Sequence, residues 1–338
     1  MAEAGLTVAV TGPTGEIGRS AVRALERSPS VGRLVGMARR PFDPAEHGWT
    51  RAEYRRGDIR DRAAVEALVA GADVVVHLAF VIFGSREETR RVNLEGSRNV
   101  FEAAAAAGAR RLVYTSSVAA YGFHPDNPDV LSEEAGPRAT EGFYYSAQKA
   151  ELERALEDAL AGSDTAAYVL RPCIVAGRDA PALVTSLVRR VPLSGIVRRG
   201  VRALERLPLL SPVIPDPGIP FQLVHHDDVA SAIAAAVEGR GAAGVYNLAA
   251  PDPLRARDLA RALGWRWVPV PRALSGAVAG AVGRLPLAPP EAEWLNALRK
   301  PVLMDCSKAR RELGWRPARS GRETLDETVA AARERNLI

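Results

Sequence analysis

Tyr145 and Lys149 stand four residues apart in YYSAQKAE, residues 144–151. On a helix that spacing puts both side chains on one face. A lysine ammonium beside a phenol favours the phenolate and lowers the tyrosine pKa. A phenol tuned in this way can give or take the proton that accompanies hydride transfer. The chain has 3 lysines and 7 tyrosines, so a lysine at this offset from a tyrosine carries weight. Tyr144 is one residue out of register and is expected to face elsewhere, as a core or pocket aromatic.

A second chemical signal lies near the N-terminus. Residues 7–20, TVAVTGPTGEIGRS, run from a β-branched strand through Gly12, Gly15 and Gly18 into a helix. Glycines at this spacing allow a tight turn, close backbone approach to a pyrophosphate and close helix packing. The helix N-terminus, here with Thr14, Glu16 and Ile17, adds N–H donors and the positive end of a dipole. A strand before and a helix after is the context a dinucleotide site requires. An acid ending the second strand would bind the ribose 2′-hydroxyl of NAD and repel a 2′-phosphate. This chain has Ala38 there, then Arg39 and Arg40, whose guanidinium groups suit a phosphate dianion. NADP is therefore the expected cofactor, with NAD the alternative. Asp58, followed by Ile59, either accepts a hydrogen bond from an adenine amino group or caps the helix that starts near 61.

These signals need a scaffold, and the first half supplies one by alternating β-branched runs with helical periodicity. Strands are expected near 6–11, 33–38, 52–56, 73–78, 110–115 and 166–171, with a seventh near 245–248. Helices are expected near 17–28, 61–70, 86–107 and 144–161. The fold class is α/β: a Rossmann-like, doubly wound parallel sheet with a smaller, mostly helical C-terminal substrate domain. Residues 181–220 carry too many prolines for regular layers. The expected division is a dinucleotide-binding domain of 1–175 plus 223–250 and a substrate-binding region of 176–222 plus 251–338.

Composition bounds the rest. The 338 residues are 47% hydrophobic and 25% charged, which argues against disorder and fibrous repeats. No apolar run reaches the ~18 residues a membrane span needs, and MAEAGLTVAV lacks the basic start of a signal peptide. A cytoplasmic location without membrane association is expected. Cys173 and Cys306 have no CxxC partner, so neither a disulfide framework nor a zinc site is expected. The net charge of +5 is spread along the chain without a nucleic-acid motif, so nucleic acid is not an expected partner. His225, His226, Asp227 and Asp228 invite a metal reading, but neighbours on an extended segment point to opposite faces. His225 as a buried hydrogen-bonding group and Asp228 as a helix N-cap are the expected roles.

TGxxGxxG, GDI, HLA, VNxxG, SSxxxYG, YxxxK and RP follow one another from Gly12 to Pro172, and DCSKARRELGW occupies 305–315. The sequence is similar to the extended short-chain dehydrogenases/reductases, often described as NAD-dependent epimerases and dehydratases. The resemblance implies Tyr145 as acid/base, Lys149 on the nicotinamide ribose and Ser117 steadying the substrate oxygen. It implies that Leu78, Ala79, Thr115, Pro172, Ile174 and Val175 lie along the cofactor, that Asn93 is structural, and that helices near 86–107 and 144–161 can form a homodimer.

Departures from the family pattern narrow the reaction. Sugar-nucleotide dehydratases carry an Asp-Glu pair directly after the catalytic hydroxyl, where this chain has Val118 and Ala119. Nucleotide-sugar epimerases typically carry an Asn and an Arg for the diphosphate, where this chain has Ile174 and Phe221. The arginines of 189–206 and Arg299 offer compensation or form a solvated face. Phe80, Phe83, Val118, Phe143, Cys173 and Phe221 suggest an apolar pocket around Ser117 for a small-molecule substrate. The expected reaction is hydride transfer at a carbonyl or secondary alcohol. A nucleotide-sugar 4-epimerase and a non-catalytic dinucleotide sensor are the alternatives.

Overall fold

The computed structural model describes residues 5–82, 84–189, 212–271 and 301–338. Phe83, the arginines of 190–206 and Arg299 lie outside the described residues. The chain begins with β1 (Leu6–Thr11), α1 (Glu16–Arg27), β2 (Val31–Ala38), β3 (Ala52–Arg56), α2 (Arg62–Val69) and β4 (Val74–His77). Then come α3 (Arg86–Arg90), a π-helical turn (Arg91–Glu95), α4 (Gly96–Ala106), β5 (Arg111–Thr115), β6 (Val130–Leu131) and α5 (Tyr144–Leu160). β7 (Ala166–Pro172), β8 (Ile174–Ala176), α6 (Ala182–Arg189), β9 (Val213–Asp216), β10 (Leu223–His225), α7 (His226–Val237) and β11 (Gly244–Leu248) follow. The chain closes with α8 (Ala256–Leu263), β12 (Arg266–Pro269), β13 (Leu303–Met304), α9 (Ser307–Glu312) and α10 (Gly321–Glu334).

Seven strands form one parallel sheet in the order β11-β7-β5-β4-β1-β2-β3. A parallel sheet covered on both faces reads as continuous apolar runs, which is why β4 is Val74-Val75-Val76 rather than alternating. Val74 and Val76 enter one core with Val8, Val10 and Val113, closed by Ala21, Val22 and Leu25 of α1 and Val229 and Ile233 of α7. Val75 enters the other with Ala9, Val35 and Leu112, closed by Leu68, Val100, Phe101, Leu152 and Leu156. Each such side chain contributes about 1.5–3 kcal/mol on burial. This is the doubly wound, Rossmann-like sheet that the alternating pattern implied.

Four details differ from the sequence reading. The helix expected over 86–107 is interrupted by the π-helical turn, whose extra residue per turn brings Asn93 inward. Asn93 is fully buried, accepts from the Val81 amide at 2.8 Å, and donates to the Val81 carbonyl and to Gln148 Oε1. Asp58 does not cap α2; Asp61 does, accepting from the Ala64 amide at 3.2 Å, while Asp58 pairs with Arg60 at 2.7 Å. Asp228 is not the cap of α7 either. His225 is, and Asp228 in the first turn accepts from the Ala318 and Arg319 amides. Within 181–220, α6 and β9 are regular; β9 tolerates Pro215 because it is one strand of a two-stranded sheet with β12.

A third apolar cluster lies off the sheet and joins Ala176, Leu223, Leu254, Leu263, Leu325 and Val329. The apolar faces of α4 and α5, including Ala103 and Ala104, are buried within the chain. Their outer faces carry charge, with Glu151 paired to Arg98 at 3.4 Å and Arg90 at 3.3 Å.

Candidate active site

The residues singled out above gather at the carboxyl ends of β1, β4, β5 and β7, where open α/β sheets bind ligands. Gly12 has φ +71, and a Cβ there would stand 2.7 Å from the Ala79 amide nitrogen. A Cβ on Gly18 would meet the Gly12 carbonyl oxygen at 2.2 Å. The fold itself therefore needs both glycines. Gly15 is different: it is exposed, precedes α1, and a Cβ there would meet nothing closer than 3.5 Å. Its open side leaves room for a ligand against the first turn of α1. Thr14 offers its carbonyl to Arg19 Nε at 3.3 Å, and Ile17 packs on the core. The Glu16 carboxylate accepts from the Ala182 amide at 3.2 Å, and its burial raises its pKa.

Arg39 and Arg40 are exposed beyond the end of β2. The parallel register sets Arg56 beside Ala38, and Arg56 Nε donates to the Arg39 carbonyl at 3.2 Å. Sequence reasoning missed Arg56, although pairing the ends of the second and third expected strands would have found it. Ile59 is buried in the core beneath this corner.

Tyr145 and Lys149 lie in the first two turns of α5, as their spacing implied. Ser117 begins a 3-10 turn after β5; its Oγ accepts from the Ala119 amide at 3.1 Å and is hydrogen-bonded to the Tyr145 phenol. That bond favours the phenolate, but burial dominates and pushes Tyr145 up to about 12. Burial likewise pulls Lys149 down to about 7. Lys149 Nζ donates to the Thr115 carbonyl at 2.9 Å and to the Tyr114 hydroxyl at 3.4 Å, and it sits 3.9 Å over the Phe80 ring. The expectation that Lys149 lowers Tyr145 is therefore not met in the protein alone. The ammonium is turned to a carbonyl and a ring face, a cation–π arrangement, and desolvation governs the phenol.

Phe80 packs edge-on to Tyr145 at 5.6 Å between centroids. Phe143 is buried, with Tyr145 at 6.1 Å and Phe123 at 5.9 Å, so it backs the site rather than facing it. Tyr144 faces away, its hydroxyl donating to the Ile82 carbonyl. Val118 and Val175 pack on the core, and Pro172 ends β7. Cys173 is buried and its thiol pKa is raised, which makes it an inert wall. Ile174 is 37% exposed. Phe221 bridges to Leu254 and packs on the third cluster. Leu78 and Ala79 remain partly exposed at the end of β4.

Two observations test whether a dinucleotide fits. Gly15 faces open space, and the buried Thr115 hydroxyl, next to Lys149, has no hydrogen-bond partner among the described residues. Both ask for a ligand with polar groups along the line from α1 to α5. The set fits a dinucleotide whose pyrophosphate lies at Gly12–Gly15 and whose nicotinamide ribose lies at Lys149.

Sequence reasoning also missed a buried polar group behind Lys149. Glu153 holds Arg171 at 2.9 and 2.5 Å and accepts from Ser116 Oγ at 2.5 Å. The signal available was a third residue continuing the four-residue series from Tyr145.

His225, His226 and Glu327 place potential ligand atoms within 4.8 Å of one another. The imidazoles are already committed to backbone amides. His225 Nδ1 accepts from Asp227 at 3.1 Å, and His226 Nε2 accepts from Asp179 at 3.2 Å. The opposite nitrogens face Glu327 and Ser20 as donors. A ligating imidazole needs a free lone pair, so these rings serve as a hydrogen-bonded joint between α1, α7 and α10.

Comparison with known proteins agrees with this architecture. A Streptomyces 3-diazoavenalumate denitrifying reductase is 32% identical over 331 residues, covering 92% of this chain and 96% of that protein. The ceramide reductase of Caulobacter vibrioides is 35% identical over 173 residues, covering 50% and 46%. Mycobacterial relatives align with 98% of this chain, which spans 30% of their length. Among solved structures, MoeE5 in complex with UDP-glucuronic acid and NAD superposes with TM-score 0.71 at 21% identity, covering 97% of this chain and 99% of that one. The profile of the NAD-dependent epimerase/dehydratase family matches residues 8–249. With the glycine turn, the seven-stranded sheet and the Tyr145–Lys149 helix in place, the chain belongs to the NAD-dependent epimerase/dehydratase family.

Proposed function

We propose that this protein is an NADP-dependent oxidoreductase that transfers hydride at a carbonyl or secondary alcohol of a mainly apolar small molecule. The observation that carries this reading is the set of side chains around the phenol. Phe80 packs on Tyr145, and Val118, Ile174 and Phe221 stand where dehydratases and nucleotide-sugar epimerases need polar groups. A diphosphate would lose charge-assisted contacts worth about 1.5–3 kcal/mol each. The Streptomyces and Caulobacter relatives are named as reductases, which supports net redox chemistry. Arg39, Arg40 and Arg56 support the 2′-phosphate of NADP.

Ser117 and Tyr145 would bind the substrate oxygen, and Tyr145 would pass its proton to that oxygen as negative charge develops, a step worth roughly 10²–10⁴-fold. The nicotinamide, when bound, supplies or accepts the hydride. Lys149 would hold the ribose, and leaving Phe80 for that position would bring its charge to bear on Tyr145. Residues 176–222 and 251–338 would cover the substrate and exclude water.

The test is to denature freshly purified protein, identify any nucleotide released, and then screen apolar ketones with both reduced nicotinamides. Exchangeable NADP, with ketone reduction that falls at least about a hundredfold in Tyr145→Phe, supports the reading. Near-stoichiometric retained NAD overturns it and points to epimerisation, in which the same hydride is returned.

A further inference from the structure

Tyr145, Lys149 and Glu153 form one four-residue series along α5, so the three side chains share a face. The first two carry the proposed chemistry, and the third has no part in it. Glu153 is 3% exposed, and both its oxygens are held, by Arg171 at 2.9 and 2.5 Å and by Ser116 Oγ at 2.5 Å. Arg171 is itself 1% exposed, donates to the Ala135 carbonyl at 3.0 Å and lies 4.3 Å over the Tyr121 ring. Apolar side chains of equal volume often stabilise a fold as well as such a buried pair. Its presence one turn from the site's lysine asks for another role.

We propose that Glu153, clamped by Arg171 and Ser116, is the fixed counter-charge of the Lys149 ammonium and a positioning residue for the Tyr145–Lys149 pair. The direct contacts of Lys149 Nζ are a carbonyl, a phenol and a ring face, none of them an anion. Tyr145 faces it from its own helix, Tyr114 from β5 and His77 from β4, with Arg171 on β7 behind Glu153. His77 is held neutral by burial and by Lys149 itself, and burial keeps Tyr114 protonated. Among these groups Glu153 supplies the negative charge, and it opposes the fall that burial imposes on Lys149. Arg171 and Ser116 fix where that charge sits. The catalytic consequence rests on the proposed roles of Tyr145 and Lys149, whereas the electrostatic coupling is a property of the protein alone.

The 3 lysines of the chain make the coupling directly readable. In protein labelled with [13Cε]lysine, the resonance missing from Lys149→Met identifies Lys149. It is expected to titrate near neutrality, against about 10.4 for an ordinary lysine. Glu153→Gln removes the charge but keeps acceptor atoms for Ser116 and Arg171, and should lower the Lys149 midpoint by about one pH unit or more. Replacing the pair together, Glu153→Leu with Arg171→Met, is the kind of exchange cores tolerate, and it too should lower the midpoint. A folded variant of either kind with the wild-type midpoint overturns the proposal. Absence of ketone reduction by the wild type would instead defeat the proposed function and leave the titration result standing.

Discussion

The Lys149 ammonium lies 3.9 Å over the face of Phe80, and the same ring meets Tyr145 edge-on at 5.6 Å. Phe80 thus stands between the two residues expected to share a proton. Its face is attractive to a cation and its body is apolar, so it holds the lysine without providing a counter-ion. The price is desolvation, visible in Lys149 falling to about 7.

A lysine held this way destabilises the fold, and the sign can be worked out. Its folded pKa of about 7 lies below the ordinary 10.5. Between these values the unfolded chain binds a proton that the folded chain does not, so this group makes stability rise with pH across that window. Below about 7 the full penalty applies. Lys149→Met should therefore raise the melting temperature near pH 7 by about 2 °C or more and remove that part of the pH slope, while abolishing turnover. Thermal melts at several pH values, with ketone reduction measured alongside, check this; a melting temperature lowered at every pH would contradict it.

Arg39, Arg40 and Arg56 place three exposed guanidinium groups at the joined ends of β2 and β3. If two of them hold a 2′-phosphate, Arg39→Ala with Arg40→Ala should weaken NADP about 10–100-fold, at 1.5–3 kcal/mol for charge-assisted contacts. NAD affinity should stay within about threefold, since its 2′-hydroxyl needs no cation. Fluorescence titration with both reduced cofactors measures the ratio. Equal losses for the two would assign the arginines to the pyrophosphate or to solvent.

The sheet was legible because each strand is buried on both faces and each helix on one, which writes strong periodicity into the sequence. Glycine and tyrosine–lysine spacing placed the two ends of the site for similarly local reasons. Arg56, Glu153 and Arg171 were less visible because their roles come from strand register or from pairing across 18 residues. The errors at Asp58 and Asp228 share a cause: a capping residue is recognised by its backbone position, and the acids at Asp61 and in the first turn of α7 were within three residues. The shift of Tyr145 was misjudged because sequence spacing gives proximity to Lys149 but not the carbonyl and ring that turn the ammonium aside.

The glycine turn offers a test that separates folding from ligand binding. Gly18 cannot accept a Cβ, since the Gly12 carbonyl would be 2.2 Å away. Gly18→Ala should destabilise the fold and lower the melting temperature by several degrees, whatever ligand is present. Gly15 has φ −76 and ψ 178, which any residue adopts, and its nearest obstacle is at 3.5 Å. Gly15→Ala should therefore fold normally, with a melting temperature within about 1 °C of wild type, a surface-like effect. If the pyrophosphate lies against this turn, the added methyl occupies the space where its oxygens approach the first amides of α1, and affinity for NADP and NAD should fall together by about tenfold or more. Differential scanning fluorimetry with and without each nucleotide reads both quantities. A Gly15→Ala protein that still gains the wild-type thermal shift from nucleotide would move the pyrophosphate away from this turn.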